Sequence, residues 1–520
     1  MIGYCIKLMV LALAVLAAES ASADTLDDIS ASGTMTVGVK VDYGPWGHYR
    51  PDGTIDGFEP DLARLIATDL GVNLRLVPVT SANRLARLAQ GDVDLVVATM
   101  GDTEERRHVA RLITPHYYAS GVRLLMPYGA ALDKWSHLQG RSVCLVKGAY
   151  QNRHLIETWM VTPVVFPSLT DAGAALRQGR CVGLAYDDTL LAQIAGTRDW
   201  SGYKISLPPE FATSWAMAVR LPDKRLARRI EDLLAGWHSD GTLLDLENKW
   251  LGDTSNFLED QNAIWSQTAK GKRICVRGPD GDFPEACMTS RVIRTGQSFA
   301  APEWMAKLTG ATGIDPAFLL DPFNRGRIKA ALGNTLLIVG LSLAGASVIG
   351  IGAARLISRS SGGNRQARIT ARIVGSGLAL AQLTPPILQL YILFFGLAAW
   401  IQASTGYQVW TLAIAASVFS AYAGATISAL VVNAYRAAPD AGFREAIATA
   451  FDGIVATLVN IAKATGIASA IAYLDTITVA GDLIAEGADK ATVMNLLLVF
   501  YLVLVMAVMG VLNLLKARLL

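Results

Sequence analysis

The sequence predicts an exported, two-lobed α/β domain with a cleft, followed by an all-α membrane domain of about five helices. Three observations carry that prediction. Strand and helix signals alternate through residues 33–252 and restart once. Uncharged apolar runs of membrane-spanning length fill much of residues 333–515. The N-terminus has the layout of a secretory signal. Composition agrees: 52% of residues are hydrophobic and the mean hydropathy is +0.35, above the usual soluble pattern. A net charge of +2 gives no broad attraction to nucleic acid, and no nucleic-acid partner is expected.

The signal is expected over residues 1–23. Lys7 supplies a positive charge, residues 8–18 are apolar, and Ala21-Ser22-Ala23 offers a cleavage site before Asp24. The alternative is an uncleaved anchor, although the run is short for a span. On either reading the following residues are exported, which makes the cysteines informative. Cys5 lies in the signal and four others remain, an even number that suggests pairs in an oxidising compartment. Cys275 and Cys287 flank a turn-rich stretch and can staple a hairpin; Cys144 and Cys181 each sit in a strand-like run and can bridge neighbouring strands. Zinc is the alternative, but the chain has no C-x-x-C and no matching histidine spacing. No metal or cofactor is expected.

"MTVGVKV", "NLRLVPV" and "VDLVVA" read as strands, separated by the helical spacings "FEPDLARLIATDLG" and "ANRLARLAQG". The alternation restarts at "RSVCLVKG", continues through "TPVVFPS", "LTDAGAALRQG" and "CVGLAYD", and closes with a helix over 222–239. Two successive α/β lobes leave a cleft, and ligands of open α/β sheets sit beyond the carboxyl ends of the strands. In "ATMGDTEERRHV", Asp102 and Glu105 have capping-box spacing, so a helix should begin near Thr103 with Arg106 in its first turn. Backbone N–H groups and a guanidinium fork there favour an anion; a surface ion pair is the competing reading. Arg107 is expected to be solvated.

"MTVGVKVDYGPWGHY", "DGTIDGFEPDLARLIATDLGV" and "LAQGDVDLVVATMGDTEERR" resemble the first lobe of the periplasmic polar amino-acid-binding proteins of ABC importers. "LQGRSVCLVKGAYQ", "ALRQGRCVGLAYDDTLLA" and "SDGTLLDLENKWLG" are similar to their second lobe and C-terminal signature. The resemblance implies a bilobal periplasmic-binding-protein fold over 24–252, with lobe 1 at 24–126 and 214–252 and lobe 2 at 127–213. It implies hinges near Met126 and Pro127 and near 212–214. By the same resemblance Arg106, in Thr103-Glu104-Glu105-Arg106, clamps an α-carboxylate, and Asp187 takes an ammonium. Tyr43, Trp46 and Phe58 match aromatic positions around the ligand, with core packing as the competing reading. Thr99 faces the carboxylate, and Lys147 and Tyr150 lie in a loop that closes over the ligand. Gly101 and the "GAYQ" stretch depart from the family pattern.

Residues 253–327 match neither half of the resemblance and form a connector, either a tether or a small subdomain. A first span is expected within 333–354, two more on either side of a turn at 402–408, a fourth within 446–474 and a fifth within 493–515. Arg355, Arg359, Arg365, Arg368 and Arg372, then Arg436 and Arg444, then Lys516 and Arg518, place the intervening loops and the C-terminus inside. Residues 328–520 resemble the permease subunit of the same importers. Arg444-Glu445-Ala446 stand where that family begins its ATPase-docking loop, although about twenty residues of that loop are missing.

The expected function is therefore a fused receptor and permease of a polar amino-acid importer in a bacterial inner membrane. Its receptor half would lie in the periplasm and its permease half would pair as a homodimer. The chain has no G-x-x-x-x-G-K-[ST], so a separate ATPase subunit is expected and the chain itself is expected not to be an enzyme. G-x-S-x-G is also absent, and Asp187 beside Asp188 is weak evidence for acid–base work. A ligand-gated channel or solute sensor using the same lobes is the alternative.

Overall fold

The computed structural model describes residues 25–252, 256–289, 292–296, 301–360 and 365–519. The expected signal, with Cys5, lies outside the described residues. Lobe 1 is built on a five-stranded sheet. Its strands are β1 (Thr34–Val39), β2 (Asn73–Pro78), β3 (Leu95–Val96), β4 (Arg111–Leu112) and, late in the chain, β10 (Ala218–Val219), in spatial order β2-β1-β3-β10-β4. β1, β2 and β3 run parallel, as the strand–helix alternation predicts, and β10 is antiparallel to β3. Lobe 2 has its own sheet from β5 (Tyr118–Pro127), β6 (Ser142–Val146), β7 (Thr162–Phe166), β8 (Gly183–Asp187) and β9 (Tyr203–Trp215), in the order β7-β6-β8-β5-β9. The near-continuous apolar runs of β1, β6 and β8 are buried on both faces, as parallel strands between helices require.

The chain crosses twice between lobes, but not where the sequence places the first crossing. β5 belongs wholly to the second sheet, so the chain leaves lobe 1 between Leu112 and Tyr118 rather than at Met126 and Pro127. Two X-Pro pairs compete as boundary signals here, Thr114-Pro115 and Met126-Pro127, and the upstream one marks the crossing. The return falls between Trp215 and Ala218, just past the expected 212–214. The crossing segments lie side by side: Ile113 N–H donates to Met217 O at 2.9 Å and Tyr117 N–H to Trp215 O at 3.2 Å.

Cys144 on β6 is disulfide-bonded to Cys181 just before β8, and Cys275 is bonded to Cys287 across the connector's turn, as expected for both pairs. The connector is packed rather than free. Trp265, fully buried, stacks on His238 of the lobe 1 helix Lys224–Asp240 and lies beside the Cys275–Cys287 pair. Thr103 of lobe 1 forms a bridge with Ile293, and Arg294 pairs with Glu104.

The C-terminal half is helical. Among the described residues, five helices are long and apolar enough to cross a membrane: Pro322–Ser360, Pro386–Thr405, Thr411–Ala437, Phe443–Ile471 and Lys490–Ala517. Each expected span falls within one of them. Small residues Gly345, Gly350, Ser420 and Gly424 face one another between the first and third, which lets the backbones approach closely. Exposed Trp400, Tyr407 and Trp410 flank the turn at 402–408, the placement that interfacial aromatics favour. The first helix has 39 residues, roughly 58 Å at 1.5 Å per residue, nearly twice a hydrocarbon core. Its N-terminal turns meet the lobes, where Phe323 lies under the Arg153 guanidinium. A short helix between the fourth and fifth apolar helices, Thr476–Glu486, is capped by the Asp475 side chain accepting from Thr478 N–H at 2.7 Å, and it meets the lobes too.

Candidate functional site

The mouth of the interlobe cleft is organised by the Glu104–Arg107 turn. Its N-cap is Thr103, whose hydroxyl accepts from Arg106 N–H at 3.3 Å. Asp102, expected to cap, is turned inward instead. It accepts from Arg107 Nε at 2.8 Å and lies 2.6 Å from His116 Nε2. Arg107 is thus ion-paired rather than simply solvated. Arg106 is buried and reaches across the cleft: it donates to Gly101 O at 2.7 Å within lobe 1 and to Gly148 O at 3.0 Å in lobe 2. Burial, and then the neighbouring Arg84 charge, lower its pKa to about 9.

Asp187 ends β8 and is buried at the opposite side of the cleft. Its carboxylate accepts from Tyr150 Oη at 2.9 Å and, across the lobes, from Tyr43 Oη. Burial pushes its pKa up, against the pull of Lys40. The adjacent acid has different partners. Asp188 points the other way and accepts from Ser120 Oγ at 2.7 Å and Gly121 N–H at 3.0 Å.

Thr99 lies just past the carboxyl end of β3 with a left-handed φ of 42°, and its buried hydroxyl has no partner among the described residues. Its N–H donates to Glu59 and to Tyr117 Oη, and its carbonyl accepts from Arg84 at 3.2 Å. Tyr43, Thr99, Arg106, Tyr150 and Asp187 therefore gather at the cleft. Trp46 and Phe58 do not. Both are fully buried in an aromatic core, with Trp46 edge-on to Phe58 at 5.0 Å, Tyr118 at 4.5 Å and Trp215 at 4.8 Å. Lys147 also leaves the cleft and lies against Gly481 of the Thr476–Glu486 helix, where a β-carbon would come within 2.5 Å of its ammonium.

The two departures from the family pattern meet each other. A β-carbon on Gly101 would stand 2.7 Å from the Tyr150 ring, so the missing side chain at 101 makes room for the phenol.

Three charged residues of the site were not singled out from sequence. Lys40 lies 4.1 Å over the Tyr43 ring and donates to Tyr186 Oη at 3.3 Å. Glu59 accepts from Tyr117 and Thr99, and Arg84 donates to the carbonyls of Ala98 and Thr99. All three are buried. Burial lowers Lys40 to about 8 and raises Glu59 to about 7. In "FEPD" and "ANRLAR" Glu59 and Arg84 look like ordinary helix-end charges, Lys40 follows strand β1, and only their long-range partners reveal the cluster.

Arg444, Glu445 and Ala446 lie in the first turn of the helix Phe443–Ala464, the start of the fourth apolar helix, with Ala446 buried. Among the described residues only a single 3-10 turn, Pro439–Ala441, stands between it and the preceding helix.

Two α/β lobes hinged by paired crossing strands, with oppositely charged groups facing across the cleft, define a bilobal solute-binding protein. The chain belongs to the bacterial extracellular solute-binding proteins, family 3, whose model matches residues 35–253. It is 30% identical over 241 residues to the ABC transporter glutamine-binding protein GlnH of Bacillus subtilis, covering 45% of this chain and 87% of that protein. Membrane-bound lytic murein transglycosylase F of Aeromonas salmonicida is 30% identical over 303 residues, 57% of this chain and 60% of that protein. A crystal structure of ArgBP from T. maritima aligns over 44% of this chain and 99% of that one, at 25% identity and a TM-score of 0.42.

The transglycosylase relatives overturn one expectation from the sequence. Proteins named as enzymes share this domain and reach beyond it along the chain, so the expectation that the chain is not an enzyme is withdrawn. With five apolar helices behind an extracellular-type binding domain, the chain is a membrane-anchored protein.

Proposed function

We propose that the cleft binds a polar α-amino acid and that the membrane half carries it across a bacterial inner membrane. One observation supports the binding step above the rest. The two groups that would hold the ends of a zwitterion are each bridged across the closed lobes by neutral protein groups of matching polarity. Arg106 of lobe 1 donates to a carbonyl of lobe 2, and Asp187 of lobe 2 accepts from a phenol of lobe 1. A ligand carboxylate replaces acceptors at Arg106, and a ligand ammonium replaces donors at Asp187. Thr99 Oγ1 supplies a further polar group, and Tyr43 and Tyr150 frame the space between.

Covalent continuity between the lobes and the five-helix half supports transport as the second step, and in this reading the lobes lie in the periplasm and the C-terminus inside. The order of arginine-rich loops supports that orientation. In this reading 24–252 is the receptor, 253–327 the connector and 328–520 the permease, paired as a homodimer. The Arg444-Glu445-Ala446 turn meets a separate ATPase subunit. GlnH, an ABC transporter binding protein by name, supports the reading.

Co-reconstitution of the chain with the ATPase that co-purifies with it tests the reading. ATP-dependent uptake of a labelled amino acid is expected, and Glu445→Arg should abolish uptake while leaving binding intact. Ligand-driven ion currents without an ATPase would replace it with a ligand-gated channel. Turnover of murein by the same preparation would replace it with the activity that the transglycosylase relatives are named for.

A further inference from the structure

Hydrogen bonds of one kind cross the closed cleft at Arg106, Tyr43 and Lys40, all in lobe 1. Arg106 donates to Gly148 O, Tyr43 to the Asp187 carboxylate, and Lys40 to Tyr186 Oη at 3.3 Å, and each acceptor lies in lobe 2. The first two are the bridges that the ends of a zwitterion would replace. The third is left over, and it too sets a charged group against a neutral one.

Lys40 directly follows β1 and is 3% exposed. An ammonium has three N–H groups to place. Among the described residues its hydrogen-bond partner is the Tyr186 hydroxyl alone, and the Tyr43 ring face lies 4.1 Å from it. No carboxylate is ion-paired with it among the described residues, so a buried cation is held by a phenol and a ring face, which is poor compensation.

This ammonium stands beside the place of the zwitterion. Tyr43 touches both: its hydroxyl meets Asp187 while its ring carries Lys40. Tyr186 is the chain neighbour of Asp187 on β8. The contact with Tyr186 is lost when the lobes part, and the ammonium is then free for a ligand. The other buried charges of the cluster are committed within their own side of the cleft. Glu59 accepts from Thr99 N–H and Tyr117 Oη, and Arg84 donates to the carbonyls of Ala98 and Thr99. A ligand side chain with a carboxylate supplies Lys40 with a matching charge and two acceptor oxygens. A neutral side chain leaves the ammonium as poorly held as before, and a basic one adds a cation beside Lys40 and Arg84.

We propose that Lys40 reads the ligand's side chain and that the ligand is an acidic amino acid, whose second carboxylate takes the place of Tyr186 Oη on the Lys40 ammonium. The inference rests on the amino-acid reading of the cleft and narrows it to the dicarboxylic class.

Titration calorimetry of the detergent-solubilised full-length protein with L-glutamate, L-aspartate, their amides L-glutamine and L-asparagine, and L-arginine tests this. At least one acid is expected to bind roughly 30-fold or more tighter than its own amide. Lys40→Gln should erase that margin by weakening the acid, while the amide binds the variant at least as well as the wild type, a result that misfolding does not produce. Tighter binding of an amide or of arginine than of either acid would overturn the proposal and leave the amino-acid reading of the cleft standing. A preference for the acid that survives Lys40→Gln would overturn it too, since the second carboxylate would then lie on another cation. Equal loss of acid and amide in Lys40→Gln would make Lys40 structural and overturn it as well. Binding of no amino acid at all would instead overturn the reading of the cleft, and this inference with it.

Discussion

At the residue scale, the Tyr150 ring occupies the space that a side chain at position 101 would take, while its hydroxyl reaches Asp187. Adding one methyl group there should cost about 1–3 kcal/mol, the range for overpacking a filled site. Gly101→Ala is expected to lower the melting temperature of the full-length protein, followed by tryptophan fluorescence, and Gly101→Ala with Tyr150→Ala should recover most of the loss relative to Tyr150→Ala alone. Strict additivity of the two changes would show that the residues do not touch. Glu59 gives a pH prediction. Its folded pKa of about 7 stands above the ordinary 4.5, so the folded state holds an extra proton between those values and stability falls as pH rises through that window. Lys40, lowered from 10.5 to about 8, acts in the opposite sense and adds stability between about pH 8 and 10.5. Melting temperature against pH should lose its decline below pH 7 in Glu59→Gln; a decline of the same size in the variant would assign it to another group. The places of Arg106 at a helix start and Asp187 at a strand end were legible, because each belongs to a local pattern. Glu59 and Arg84 were not. Glu59 meets Thr99 and Tyr117, forty and fifty-eight positions away, and the local pattern around it is that of a solvated helix end.

At the element scale, strands and spans were legible wherever periodicity or apolar length is strong, and the lobe boundary was not. β5 reads as one uninterrupted strand from Tyr118, and nothing in its own pattern says which sheet receives it. That is decided by pairing with β8 and β9, which lie far along the chain. Trp46 and Phe58 illustrate the same limit. An aromatic residue near a cleft has the same local signature whether it faces ligand or core, and here Tyr118 and Trp215 of the crossing strands complete a core around it. The Cys144–Cys181 bond closes a separation of 37 residues between neighbouring strands of lobe 2. Chain-entropy arguments assign such a loop about 3–4 kcal/mol. Cys144→Ala with Cys181→Ala should therefore lower the denaturant midpoint of the lobes, read by tryptophan fluorescence, and reducing agent should then have no further effect through that bond. An unchanged midpoint would mean that the unfolded chain is already constrained there.

At the scale of the whole molecule, receptor and membrane half are joined by more than the connector. Lys147 lies against Gly481, Arg153 pairs with Asp321, and Gly148 sits between lobe 1's Ser81 and Ala485, with no room for a β-carbon beside the Ser81 carbonyl at 2.5 Å. The helix Thr476–Glu486 thus touches both lobes, at Lys147 and Gly148 and at the helix Arg84–Gln90. This junction was invisible in the sequence because its partners come from separate segments with no shared local signal. The account as a whole rests on the cleft being an amino-acid site, and equilibrium binding of amino acids to the purified full-length protein, beside Arg106→Ala, tests that most directly. Removing one partner of a buried, hydrogen-bonded charge pair costs about 2–5 kcal/mol, so the account predicts saturable binding of a polar amino acid that Arg106→Ala weakens roughly 30-fold or more. Unweakened binding in Arg106→Ala, or no amino acid bound by the folded wild-type protein, would contradict it.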